Sequence, residues 1–179
     1  LPVIGVLVAA AITPGPNNMI VMQAGARAGF TAAARMMLAV VAGSLMVLVL
    51  VWLGVGGAMA ACPALENALG IGGGAYLGWL GIRLLLRSEA NADGAPSALP
   101  MTMLGVTGFQ LLNPKGWILV RTAAAAMPQA GGVVTLAMLI VLVTSSCLAL
   151  WAVAGAASSR VLARPGPRRW FDRIMGVLL

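Results

Sequence analysis

The residues of this chain that could do chemistry gather at two proline breaks, Thr13-Pro14-Gly15-Pro16-Asn17-Asn18 and, one hundred positions further on, Asn113-Pro114-Lys115. Proline lacks the N–H that reaches back four residues in a helix. Pro14, Pro16 and Pro114 therefore leave the carbonyls of Ala10, Ile12 and Gln110 without their helical partners. Asn17 and Asn18 follow the first break directly and open a new half-helix, whose free N–H groups and dipole favour an anion such as a carboxylate. Simple helix capping is the structural alternative for both asparagines. Lys115 lies in an apolar stretch, where an ammonium costs about 2.5 to 3.5 kcal/mol to insert into a bilayer. Its partner must be the freed Gln110 carbonyl, water in a cavity, or a negative group on a solute; a lysine held structurally by carbonyls and water is the other reading. Gln23, Gln110 and Asn113 supply the remaining amides.

Most enzyme chemistry is excluded by what is missing. The chain contains no histidine, and no Asp or Glu occurs between Leu1 and Leu65 or between Gly94 and Phe171. That rules out a Ser-His-Asp set, paired carboxylates at membrane depth and a zinc motif. Cys62 and Cys147 stand alone in or beside apolar spans, so no metal or cofactor is expected, and a disulfide between them is the minority reading.

The elements that must position these residues are transmembrane. Of 179 residues 61% are hydrophobic and 8% charged, far from a soluble domain. A crossing needs about 20 apolar residues, and the pattern predicts six spans: 1–24, 36–61, 67–86, 101–126, 132–157 and 171 onward. Only six residues follow Arg173, so the sixth span is expected to continue past Leu179, and the lack of an initiator methionine suggests residues before Leu1. The first apolar run lacks a basic start and a cleavage site, which makes it a span and not a signal peptide.

The net charge of +7 orients these spans better than it suggests nucleic acid, since only 5% of the residues are aromatic. Arg27 and Arg35 follow span one, Arg83 and Arg87 follow span three, and Arg160, Arg164, Arg168 and Arg169 follow span five. The loops after spans two and four carry no Lys or Arg. The positive-inside rule then places both termini outside and gives two halves of opposite orientation. Residues 1–87 form the first three-helix repeat, the polar stretch 88–100 a cytoplasmic linker, and 101–179 the second repeat. Helices one and four, the broken ones, become counterparts. Non-helical backbone at membrane depth is tolerated where it is buried in protein or lines a wet cavity, and such breaks at matching places in two halves point to a transporter site. Gly70, Gly74 and Gly78 form a small-residue face on span three, read either as packing within one subunit or as a homodimer contact. Arg121, about 9 Å along the helix from Lys115, is expected to snorkel to the outer interface.

At these residues the chain resembles the LysE/RhtB family of bacterial amino-acid exporters. The likeness rests on Thr13-Pro-Gly-Pro-Asn-Asn, the arginine-bearing stretch from Gly25 to Arg35, Gly74-Ala-Tyr-Leu-Gly-Trp-Leu-Gly, Phe109-Gln-Leu-Leu-Asn-Pro-Lys and Met127-Pro128-Gln129. It implies a six-helix carrier in the bacterial inner membrane, driven by the proton gradient. Many members carry an acidic residue where this chain has Asn17, so a carboxylate relay there is not available. The Asn17-Asn18 variant is similar to the branch that includes cysteine and O-acetylserine exporters, a match carried by one position.

Together these features lead to an all-α integral membrane protein that moves a small zwitterionic solute through the lipid bilayer. Its expected site is Pro14, Gly15, Pro16, Asn17, Asn18, Gln110, Asn113, Pro114 and Lys115, with Lys115 binding the solute carboxylate or exchanging a proton. The rival readings are a non-transporting membrane subunit or a small-solute channel whose breaks serve packing alone.

Overall fold

The computed structural model describes residues 2–86, 102–127, 132–162 and 164–178. The expected linker at 88–100 and the Pro128-Gln129 motif lie outside the described residues. Eight helices and no strand occur among the described residues: α1 (Pro2–Ile12), α2 (Pro16–Trp52), α3 (Val55–Ala61), α4 (Pro63–Leu85), α5 (Met103–Leu112), α6 (Pro114–Ala125), α7 (Gly132–Leu162) and α8 (Pro165–Leu178). Two stretches, Pro16–Trp52 and Gly132–Val161, are long and apolar enough to cross a membrane, and Val3–Ile12 and Met103–Leu112 are shorter apolar helices. Ile71, Leu104 and Leu142 leave 72%, 85% and 66% of their surface uncovered. Apolar exposure repeated over several helices suits lipid better than water.

The two proline breaks appear where the sequence places them. Thr13, Pro14 and Gly15 separate α1 from α2, whereas only Asn113 separates α5 from α6. Pro16 and Pro114 each stand at the start of the following helix, where the missing N–H costs nothing and the ring presets φ.

The loop expected between spans one and two is reduced to a kink. Ala28 (φ −135°, ψ 16°) and Gly29 (φ 77°, ψ −178°) are the non-helical residues inside α2. A straight helix would put residues 17 and 44 about 40 Å apart, yet both line one cavity. The two arms of α2 must therefore fold back on each other at Gly29, whose positive φ only glycine adopts without strain.

Lipid removes the hydrophobic drive that packs helices in water, so close backbone approach carries more of the cohesion. The first arm of α2 lies against α7 in this way. A Cβ on Gly155 would overlap the Met22 carbonyl oxygen, and one on Gly25 would sit 2.8 Å from the Ala152 oxygen. On the second arm, a Cβ on Gly43 would overlap the Gln110 side chain of α5. Met19, Ile20, Val40, Val106, Leu148 and Ala152 are buried where these helices meet.

Packing within one subunit, one of the two readings of Gly70, Gly74 and Gly78, needs correction. An added Cβ at any of the three meets nothing within 4 Å, while their neighbour Gly73 lies against the Leu112 carbonyl and the Pro114 ring. The residue that α4 uses to approach another backbone is thus one position off the regular stripe.

Candidate functional site

The two breaks face each other and are braced together by side chains. Asn17 Nδ2 donates to Gln110 Oε1 at 3.1 Å, and Gln110 Nε2 donates back to Asn17 Oδ1 at 2.7 Å. A paired amide dimer of this kind satisfies two donors and two acceptors that hydrocarbon could not. Lys115 Nζ donates to the Thr13 carbonyl at 3.5 Å, a second link from one break to the other.

That bond corrects the set of partners expected for Lys115. The Gln110 carbonyl accepts from the Asn113 N–H at 3.3 Å, a tightened last turn that leaves it no longer free. Leu111 O accepts from the Trp117 indole N–H at 3.0 Å, so a second terminal carbonyl of α5 is also occupied.

The first break is satisfied differently. Asn18 Nδ2 donates to the Ala11 and Thr13 carbonyls at 3.0 and 2.9 Å, and the Thr13 hydroxyl donates to the Ala9 carbonyl. Both N–H groups of Asn18 are spent on the end of α1. Its place is that of a staple across the gap, with no side-chain N–H left over.

A cavity of about 710 Å³, counted with its open mouth, lies beside these bonds. Gly15, Pro16, Asn17, Asn18, Gln110, Asn113 and Lys115, seven of the nine expected site residues, line it; Pro14 and Pro114 do not, and act by creating the gaps. Asn113 is buried to 2% exposure, and its Oδ1 has no hydrogen-bond partner. An acceptor left bare in a buried site costs about 1 to 3 kcal/mol unless a donor arrives. Gln23, also buried, has neither amide atom paired and does not line the cavity; nothing among the described residues accounts for it.

The lining repeats at the spacing of the breaks. Ala10 and Gln110, Thr13 and Asn113, Gly15 and Lys115, Pro16 and Gly116, Val40 and Ile140, and Ser44 and Thr144 are all lining residues, each pair one hundred positions apart. Thr13, Ser44 and Thr144 line the cavity as well, outside the nine expected site residues. The break offset was the signal that could have found them, since it carries Thr13 onto Asn113 and Ser44 onto Thr144.

Arg121 is placed by an ion pair and not by snorkelling alone. Its Nη1 lies 2.8 Å from Glu66 Oε1 in the first turn of α4. The pair is partly exposed, so its contribution is small, on the order of 0 to 1 kcal/mol. Cys62 is exposed and Cys147 buried, both as free thiols.

A family model described as LysE type translocator matches residues 8–179. Two relatives, each described as a cysteine/O-acetylserine efflux protein, come from Salmonella choleraesuis (strain SC-B67) and Salmonella typhimurium (strain LT2). Each is 28% identical over 175 residues, covering 94% of this chain and 87% of the relative. No solved structure matches the chain.

Proposed function

The chain belongs to the LysE type translocator family, and from that premise we propose that it exports amino acids or small amino-acid derivatives across the bacterial inner membrane. It is a membrane translocator and not an enzyme. The observation that carries the export reading is the pair of broken helices joined across one cavity by Asn17 and Gln110.

The architecture under this reading is six transmembrane helices in two inverted halves. α1 with the first arm of α2 makes span one, the second arm with α3 makes span two, α4 is span three, α5 with α6 span four, α7 span five, and α8 enters span six. The cavity residues that repeat at one hundred positions support it, because a two-fold relation between halves brings equivalent residues to the same central site. Arginine placement puts both termini outside. The native thiol of Cys62, exposed at the start of α4, then faces outward and is labelled by an impermeant maleimide added to intact cells; labelling only after the cells are opened would reverse the orientation.

In the transport cycle Lys115 takes the solute carboxylate, releasing the long bond to Thr13. The bare Asn113 Oδ1 accepts from the solute ammonium. The Asn17–Gln110 pair holds the two breaks in register and must part or slide when one half rocks against the other. Lys115 is the proton-coupling group as well, since no carboxylate lines the cavity. The relatives' described solutes, cysteine and O-acetylserine, fall within the same class of small zwitterions. Flux through purified protein in liposomes tests the proposal, with a panel of amino acids and with or without a pH gradient. Transport accelerated by the gradient is the expected result. No flux for any member of the panel overturns the export reading, and flux indifferent to the gradient removes the proton.

A further inference from the structure

Ser44 and Thr144 lie on two different helices, the second arm of α2 and α7, and both line the cavity. Each is bracketed one turn away on the cavity side by aliphatic residues, Val40 and Val47 around Ser44, and Ile140 and Leu148 around Thr144. Neither hydroxyl joins the network of Asn17, Gln110, Asn113 and Lys115. Each therefore forms a single polar point in an otherwise apolar wall.

The two hydroxyls offer different chemistry. Ser44 Oγ donates to the Val40 carbonyl at 2.9 Å, which leaves it only lone pairs to present. Thr144 makes no hydrogen bond among the described residues, so its O–H is free to donate. One acceptor and one donor facing a shared space suit a group that can do either. A hydroxyl or thiol donates to Ser44, and a hydroxyl or carbonyl oxygen accepts from Thr144.

Charge narrows the class further. Lys115 is the one ionisable group among the lining residues, and no Asp or Glu stands with it. A basic solute side chain would lose its water with no counter-ion and with a like charge already present, while an acidic one would bring a second carboxylate to a single cation. Burying an unpaired charge costs several kcal/mol, enough to reject either.

We infer that Ser44 and Thr144 hold the side-chain end of the solute and select amino acids with uncharged side chains that carry a hydroxyl. This rests on the export reading above, which supplies the carboxylate and ammonium partners at Lys115 and Asn113. The repetition of a hydroxyl at equivalent positions in the two halves argues against an incidental serine and an incidental threonine.

The test is flux in liposomes with serine, 2-aminobutyrate and lysine as solutes. Serine and 2-aminobutyrate are nearly the same size and differ in the hydroxyl. Wild-type protein is expected to favour serine over 2-aminobutyrate by about tenfold or more, the discrimination one well-placed hydrogen bond supplies, and to move lysine poorly. Thr144→Val keeps the shape of the side chain and removes the hydroxyl; it should bring the serine to 2-aminobutyrate ratio close to one through a higher KM for serine. Continued flux of 2-aminobutyrate certifies that this variant is folded, and Thr144→Ser should restore the ratio. Ser44→Ala should lower the ratio by a smaller factor. A ratio unchanged in both Thr144→Val and Ser44→Ala, with flux intact, overturns the inference and leaves the export reading standing, as does wild-type lysine flux equal to that of serine. Wild-type protein that moves none of the panel's amino acids removes both.

Discussion

The two breaks differ in how they are held open. At the first, three residues leave the helix and a side chain from beyond the gap, Asn18, reaches back to the Ala11 and Thr13 carbonyls. At the second, one residue leaves the helix and the backbone closes on itself, through the Asn113 N–H to Gln110 O. The second is also wedged from outside by α4, where Gly73 lies against the Leu112 carbonyl. Two breaks one hundred positions apart have thus become a wide gap facing the cavity and a tight joint set against a neighbouring helix. The cavity's lone cation sits on the tight joint and reaches into the wide gap. A rigid mount for the charged group faces a looser partner, so the first break can shift without displacing the backbone of Lys115.

The largest expected effect comes from closing the wide gap. Pro14→Ala with Pro16→Ala restores two donors and permits a continuous helix; the protein should insert normally and lose transport by about 100-fold or more, equivalent to roughly 2.7 kcal/mol in the barrier. Pro114→Ala should lose only about tenfold, because the tight joint already satisfies its carbonyls. Liposome flux beside the yield in the membrane fraction measures both, and equal losses would erase the asymmetry between the breaks.

Lys115→Met asks whether the mounted charge serves the solute. Flux should fall by about 100-fold while thermal stability in detergent holds, since removing an ammonium from the membrane relieves about 2.5 to 3.5 kcal/mol. A parallel fall in the unfolding temperature would assign the lysine to structure.

The link between the breaks should show coupling. Asn17→Leu strands the buried Gln110 amide and Gln110→Leu the partly buried Asn17 amide; each is expected to cost about 1 to 3 kcal/mol, whereas the double variant should cost less than their sum. Additive losses in thermal unfolding would mean that the two amides do not act as a pair.

The wedge yields the sharpest contrast. Gly73→Ala drives a methyl into the Leu112 carbonyl and should destabilise by about 1 to 3 kcal/mol. Gly15→Ala at the wide gap meets Lys115 Nζ at an ordinary 3.5 Å and should stay within about 0.5 kcal/mol. A reversed order would show that α4 does not support the second break.

Much of this is legible in the chain's residues alone. Proline has one physical effect on a helix whatever surrounds it, so the positions of both breaks follow from Pro14, Pro16 and Pro114. Apolar run length marks the helices on either side. The glycines mislead, because a regular stripe in sequence says nothing of which face finds a neighbour: Gly70, Gly74 and Gly78 meet open space, while Gly25, Gly43, Gly73 and Gly155 admit another helix closely. Arg121 is obscure for the same reason, as Glu66 lies 55 positions away.

Local chemistry, then, was determined by the sequence itself: an apolar chain of helical character, two interruptions one hundred positions apart, and one lysine in an otherwise apolar stretch. Tertiary structure alone decided which polar groups are already spent and which still have capacity. Asn18 is committed to α1, and Asn17 and Gln110 to each other, while Lys115, the Asn113 oxygen and the Thr144 hydroxyl still have capacity. A side chain's type sets how many hydrogen bonds it can make, but only the approach of residues distant in sequence settles how many it has made.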